Sequence, residues 1–346
     1  MQAIEKISIR DLSLEQLTEQ IVALGEPSFR AKQIYEWLWK KSAVQFSEML
    51  NLSKSLREQL ESRYAINAIV IDVQQKSMDG TIKCRFKLVD GHMVEGVLIP
   101  SENRMTACVS SQVGCNLGCT FCATGFIKMK RNLEPYEIYD QVVLLNKASL
   151  EHHKQPLTNI VFMGMGEPLL NYDNVLAGIA KITGEDGLHI SAKRITVSTA
   201  GLAKMIRKLA DDQVKFNLAL SLHAADDIKR SKLMPINEAN NLNDLVKALN
   251  YFHDKTGNRI TFEYILFDGI NESMEDDKNL VTLCSKVPAR VNISEYNTIR
   301  EADFHKSKED QREKFIAYLE THRVVAKVRR SRGKDIDAAC GQLANK

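Results

Sequence analysis

A chain of 346 residues with 44% hydrophobic and 26% charged side chains has ordinary globular composition and the length for one large domain and a smaller one. It shows no sign of disorder, no apolar run long enough to span a bilayer and, over Met1–Gln20, no apolar core of a signal peptide. A net charge of +3 is too small to mark a nucleic-acid binder by itself, and seven cysteines, an odd number with three close together, fit a reducing, cytoplasmic setting better than a disulfide framework.

Residues 13–63 carry apolar side chains at three- and four-residue spacing, Leu14, Leu17, Ile21 and Leu24 among them, which predicts a helical unit over 1–66. Within it, Phe29–Lys41 interleaves basic and aromatic residues on one helix. That helix is predicted to bury Ile34, Trp37 and Leu38 with its lysines in solvent, where as a patch they can hold phosphates. Over 67–100, short β-rich runs surround Asp79-Gly80 and Asp90-Gly91, turn signals that predict a three-stranded antiparallel extension. From 101 to 332, β-rich runs (104–110, 158–163, 193–198, 215–221, 259–267 and 290–295) alternate with helical patterns such as 135–150, 172–183 and 242–255. This is the βαβ rhythm of a parallel sheet. The expected fold class is α/β: an open, partial TIM-like (β/α)6 barrel whose ligands sit at the C-terminal strand ends, followed by a short tail over 333–346.

Just after the first barrel strand come Cys115, Cys119 and Cys122. A four-iron cluster takes four thiolates, so three leave one iron open to an exogenous ligand. A structural zinc ion needs four closed ligands, and the nearest further candidates, Cys108, His92, His152 and His153, are distant in sequence. Gly114, Gly118 and Gly125 suit a backbone folded tightly round a cluster. Of the other cysteines, Cys84 and Cys284 read as small buried hydrophobes, and Cys340, taken alone, reads as an exposed thiol on a tail.

The C-x3-C-x2-C spacing resembles the signature of the radical S-adenosylmethionine (SAM) superfamily, in which the open iron chelates the amino and carboxylate groups of SAM. Further segments, Phe162–Pro168, Arg194–Gly201, Ser221–His223 and Asp335–Gln342, resemble the adenine C2-methyltransferases of 23S rRNA and tRNA, in the same order across most of the chain. The resemblance implies a [4Fe-4S] cluster on the three cysteines, SAM contacts from Gly166 and Glu167, and methionine and ribose contacts from Ser198, Ser221, Leu222, His223 and Asn297. It also implies that Cys340 accepts a methyl group from one SAM, that a second SAM supplies the radical, that Glu95 removes the C2 proton, and that Cys108 resolves the RNA adduct through a transient disulfide with Cys340. Adenine C2 is an electron-poor carbon that attacks the methyl of SAM poorly, which is why radical chemistry is needed. On this reading 1–66 is an RNA-binding accessory domain, 101–332 the radical SAM core and 333–346 the tail carrying the methyl acceptor. A monomer served by an external flavodoxin- or ferredoxin-like electron donor is expected, with no membrane involved.

By pattern alone Glu95 reads equally as a solvent-facing strand residue. Lys327, Arg329, Arg330, Arg332 and Lys334, which precede the Cys340 tail, are expected to hold RNA phosphates with Lys128, Lys130 and Arg131. Three alternatives stand beside the C2 reading. One is the C8-methylating relative that confers antibiotic resistance, another a sulfur-inserting enzyme with a second cluster on Cys84, Cys108, Cys284 and Cys340, and the third a noncatalytic RNA binder with a structural metal.

Overall fold

The computed structural model describes residues 6–345. The N-terminal unit contains α1 (Leu14–Ala23), α2 (Phe29–Trp39) and α3 (Lys54–Arg63). Ser13 starts α1 with a capping box, its hydroxyl accepting from the Gln16 amide while Gln16 caps the Ser13 amide. A short parallel pair, β1 (Ile7–Ser8) with β2 (Tyr64–Ala65), closes the unit; two-residue strands leave no periodicity to read. On α2 the buried face is Ile34, Leu38 and Trp39. The expected Trp37 is half-exposed and donates to Asn51 instead. Trp39 takes the interior position because Arg10 stacks on its ring at 4.6 Å and Tyr139 meets it edge-on at 5.2 Å.

The antiparallel extension forms as expected from β3 (Val70–Lys76), β4 (Ile82–Lys87) and β5 (Met93–Ser101). Gly80 and Gly91 sit in the turns at φ +85° and +84°, where a side chain is strained. The next strand, β6 (Arg104–Cys108), runs antiparallel to β5 and parallel to β9 (Asn159–Phe162), so extension and barrel share one sheet. A small ribbon of β7 (Gln112–Val113) and β8 (Arg131–Asn132) brackets the cysteine loop.

Parallel pairing continues through β10 (Ile195–Thr199), β11 (Asn217–Ser221), β12 (Ile260–Leu266), β13 (Ala289–Glu295) and β14 (Ala326–Arg329). Helices α4 (Pro135–His153), α5 (Tyr172–Thr183), α6 (Ala203–Asp211), α7 (Asp227–Leu233), α8 (Leu242–Thr256), α9 (Met274–Cys284) and α10 (Glu309–Thr321) connect the strands. The ten-stranded sheet begins at β3 and ends at β14, as an open α/β barrel does. Among the described residues the parallel part has seven strands, not six. The extra one, β14, alternates Lys and Arg with Ala and Val, and its charges masked it as a basic run. No helix among the described residues is long and apolar enough to cross a membrane.

Candidate active site

The cysteine loop is held by its backbone. Cys115 donates to the Ile127 carbonyl at 2.9 Å, Thr120 to Leu233 at 3.0 Å and Gly125 to Cys122 at 2.8 Å. A Cβ on Gly114 would lie 2.7 Å from the Lys128 carbonyl oxygen, and one on Gly125 2.8 Å from that of Cys119, so both glycines are sterically required. Burial pushes the Cys115 thiol up to about 11 and raises Cys119 and Cys122 as well. Bound metal reverses this by taking the thiolate outright.

The three cysteines line one cavity with Gly164, Gly166, Glu167, Ser198, Ser221, His223, Glu263, Arg329 and Cys340. Glu167 is buried; its Oε1 accepts from the Leu169 amide at 3.0 Å and its Oε2 from Ala200 at 2.7 Å. Burial outweighs these donors and pushes its carboxyl up to about 7. The Ser198 and Ser221 hydroxyls meet at 3.4 Å across adjacent strands. His223 is buried, stands at φ +57° and accepts the Ile265 amide on Nδ1 at 3.1 Å, which leaves Nε2 to carry the ring proton. Burial pulls its pKa down to about 3, so it is a neutral imidazole.

The two glycines of the second strand-end loop line the cavity with their backbone, and the positions of their missing Cβ atoms face protein. One on Gly164 would lie 2.6 Å from Ser110 Oγ, and one on Gly166 2.5 Å from Gln112 Cβ. They let this loop lie flat against the segment that follows β6.

An adjoining cavity is lined by Val97, Cys108, Met163, Arg329 and, again, Cys340. Burial pushes the Cys108 thiol up to about 12, with Cys340 adding to the rise and Arg329 opposing it. Asn297 lies outside the main cavity and holds the tail: its Nδ2 donates to the Cys340 carbonyl at 3.2 Å. Leu222 sits fully in the core, its amide spent on the Glu263 carbonyl and its carbonyl on Arg230, so the structure does not bring its side chain to the site. Glu95 is completely buried on β5, two residues before cavity-lining Val97 and therefore on the same face, and is covered by the tail. Cys84 and Cys284 line neither cavity.

Several contributors escaped the sequence reading. Glu263 accepts from Asn292 at 2.8 Å and from Arg329 at 3.4 Å; it interrupts the apolar run of β12 as Glu95 interrupts that of β5, and the same signal applied twice would have found it. Arg329, expected among the phosphate contacts, instead faces both cavities, with Cys340 beside it. Arg230, buried on α7, donates to the carbonyls of Ala200 (2.6 Å), Ser221 (3.0 Å) and Leu222 (3.2 Å) and ties strand ends together; no sequence period marks it. Three of the expected phosphate contacts are otherwise engaged: Arg131 is bidentate to Glu137 at 2.7 and 2.8 Å, Lys334 pairs with Glu295, and Arg329 turns inward to Glu263. Lys128, Lys130, Lys327, Arg330 and Arg332 are exposed.

The donor set suits a cluster. Among the described residues no three His, Cys, Asp or Glu side chains converge as a single metal ion requires; a cluster takes its thiolates at separate iron corners, and three soft thiols facing one cavity are the ligands it uses.

Residues 109–281 match the Radical SAM superfamily, and residues 7–66 match the ribosomal RNA large subunit methyltransferase N-terminal domain. A probable dual-specificity RNA methyltransferase RlmN from Cytophaga hutchinsonii is 60% identical over 99% of this chain and 94% of its own length. Its counterpart from Flavobacterium johnsoniae is 53% identical over 99% and 98%. The crystal structure of a radical SAM methyltransferase from Sphaerobacter thermophilus superposes with a TM-score of 0.93 over 98% of this chain and 100% of that one, at 39% identity. With its cysteine loop and barrel mouth in place, the chain belongs to the radical SAM superfamily and, within it, to the RlmN family of dual-specificity RNA methyltransferases.

Proposed function

We propose that the protein methylates C2 of an adenine in 23S rRNA near the peptidyl transferase centre and of the adenine 3′ to the tRNA anticodon, with Cys340 as the methyl carrier. The observation that carries this reading is the position of Cys340, which lines both the cavity of the three cysteines and the one that holds Cys108. One sulfur can thus meet a methyl donor on one side and a resolving thiol on the other. When bound through Cys115, Cys119 and Cys122, a [4Fe-4S] cluster with SAM supplies hydrogen-atom abstraction, the chemistry an electron-poor ring carbon requires.

The chain's own residues do the rest. The Cys340 thiolate displaces the methyl group from SAM. After carbon–carbon bond formation links Cys340 to the RNA, rearomatisation of the adduct releases one electron, which a cluster held by Cys115, Cys119 and Cys122 would accept, and the C2 proton, which Glu95 takes. Cys108 then attacks the Cys340 sulfur; the carbon–sulfur bond breaks, the carbon leaves with the electron pair and is protonated to the methyl group, and a Cys108–Cys340 disulfide remains for an external dithiol to reduce. Gly166, Glu167, Ser198, Ser221 and His223 border the space for SAM. Exposed Lys128, Lys130, Lys327, Arg330 and Arg332 hold phosphates of an RNA whose target base is extruded. A flavodoxin- or ferredoxin-like protein supplies electrons to the monomeric enzyme in the cytoplasm.

Expression in a host lacking its own C2-methyltransferase, followed by nucleoside chromatography, tests the reading. 2-Methyladenosine is expected in both 23S rRNA and tRNA, and none with Cys340→Ala. Finding 8-methyladenosine alone would sink the assignment.

A further inference from the structure

The Glu95 carboxylate has three partners, and the residue has no exposure. Its Oε2 accepts the amides of Ala344 at 2.9 Å and Asn345 at 3.1 Å, and Lys83 Nζ lies 3.5 Å from its Oε1. Lys83 is itself 4% exposed. It pairs in register with Val97 on β5, while Glu95 pairs with Arg85, so lysine and glutamate are diagonal neighbours on one face. The other two donors belong to the tail that carries Cys340, and this tail is pinned just beyond that cysteine: Thr124 donates to the Leu343 carbonyl at 2.7 Å and Asn345 Nδ2 to the Met93 carbonyl at 2.9 Å.

A carboxylate this enclosed cannot reach an RNA base until Leu343–Asn345 withdraws, and withdrawal removes two of its three partners. An unpaired charge in a dry wall is costly and free to turn away. We propose that Lys83 is a positioning residue for Glu95, the partner that stays with the carboxylate and keeps it aimed at the barrel mouth once the tail has lifted to engage RNA. Lys83 touches neither cavity, so it acts through Glu95 alone. The tail's two amides cap the base in the resting protein and release it only when Cys340 has moved, which places proton removal after RNA attachment.

This rests on Glu95 being the base, and the test separates the two claims. Reconstituted wild type, Lys83→Met, Lys83→Arg and Glu95→Gln are each given labelled SAM and substrate RNA, and two quantities are read: methyl on Cys340 by peptide mass spectrometry, and the Cys340–RNA adduct by denaturing gel. Lys83→Met is expected to methylate Cys340 normally but to clear the adduct at least about tenfold more slowly, and Lys83→Arg to restore clearance. Should Lys83→Met not fold, Lys83→Gln provides the same comparison. Wild-type clearance by the neutral variant overturns the proposal. So does equal loss of both readouts without rescue by arginine, which marks a scaffold role. If Glu95→Gln also clears the adduct, the assignment of the base itself has failed and the role of Lys83 falls with it.

Discussion

At Gly166 the backbone stands at φ +92° and an added Cβ would lie 2.5 Å from Cβ and 2.8 Å from the amide nitrogen of Gln112. The same Gln112 accepts the Glu167 amide on Oε1 at 2.9 Å, so a side chain here strains the loop and displaces the residue that holds Glu167. Gly166→Ala combines left-handed strain with overpacking and is expected to cost roughly 2 kcal/mol or more, with weaker SAM binding; melting curves and calorimetry of the reconstituted protein are the measurements, and wild-type values for both would refute the account. The sequence pointed to this glycine through a strand-end pattern but not to its reason, because the clashing partner, Gln112, lies 54 positions away in another loop. The cysteines were legible for the opposite reason: three cysteines of one loop carry their spacing in the sequence itself. Lys83 was not, since one lysine in a strand looks the same whether it faces water or a buried carboxylate.

Among the elements, α4 ties the N-terminal unit to the barrel. Asp140 on this helix is buried and forms a bidentate pair with Arg10 at 2.8 and 2.9 Å, while also accepting the Ile69 amide at 3.2 Å. Burial raises the Asp140 carboxyl and the Arg10 charge opposes that rise. Arg10→Ala leaves a carboxylate buried with only the Ile69 amide on it and is expected to destabilise the fold by about 3–5 kcal/mol, measured by urea unfolding; an unchanged midpoint and slope would refute it. Strands with alternating or continuous apolar residues were readable as such, and so were helices with a clean apolar stripe. What escaped were β14, whose alternation is written in lysine and arginine, and the two-residue pairs β1–β2 and β7–β8, which are held in register by the chain on either side. The buried Arg10 escaped too, because a partner on a helix 130 residues later leaves no local trace.

Across the whole molecule, the C-terminal tail joins both ends of the sheet. It leaves β14 at one edge, crosses the mouth and is fastened to the turn between β3 and β4 at the other. There Asp79 accepts the Gly333 amide at 3.0 Å, and Asp335 accepts the Ser77 hydroxyl at 2.5 Å and the Met78 amide at 3.1 Å. Burial works against the Asp79 carboxylate, but hydrogen bonds from Thr81, Gly333 and Ser77 overcome it and pull the pKa down to about 2 from an ordinary 3.8. A depressed folded-state value means that this fastening contributes fully above pH ~4 and is lost as pH falls toward 2. Neutralising both carboxylates at neutral pH imitates that loss without acid. Asp79→Asn with Asp335→Asn is therefore expected to let a protease cut within 333–345 several-fold faster, while the barrel, whose core contains none of these carboxylates, keeps its melting temperature. The same variant is expected to methylate Cys340 more slowly, because a tail no longer anchored beyond the mouth holds that sulfur at the cavity for a smaller fraction of the time. Unchanged protease resistance would show that the contacts of Leu343–Asn345 with Thr124, Glu95 and Met93 suffice to hold the tail, and that its release is governed at Glu95 and not at the turn.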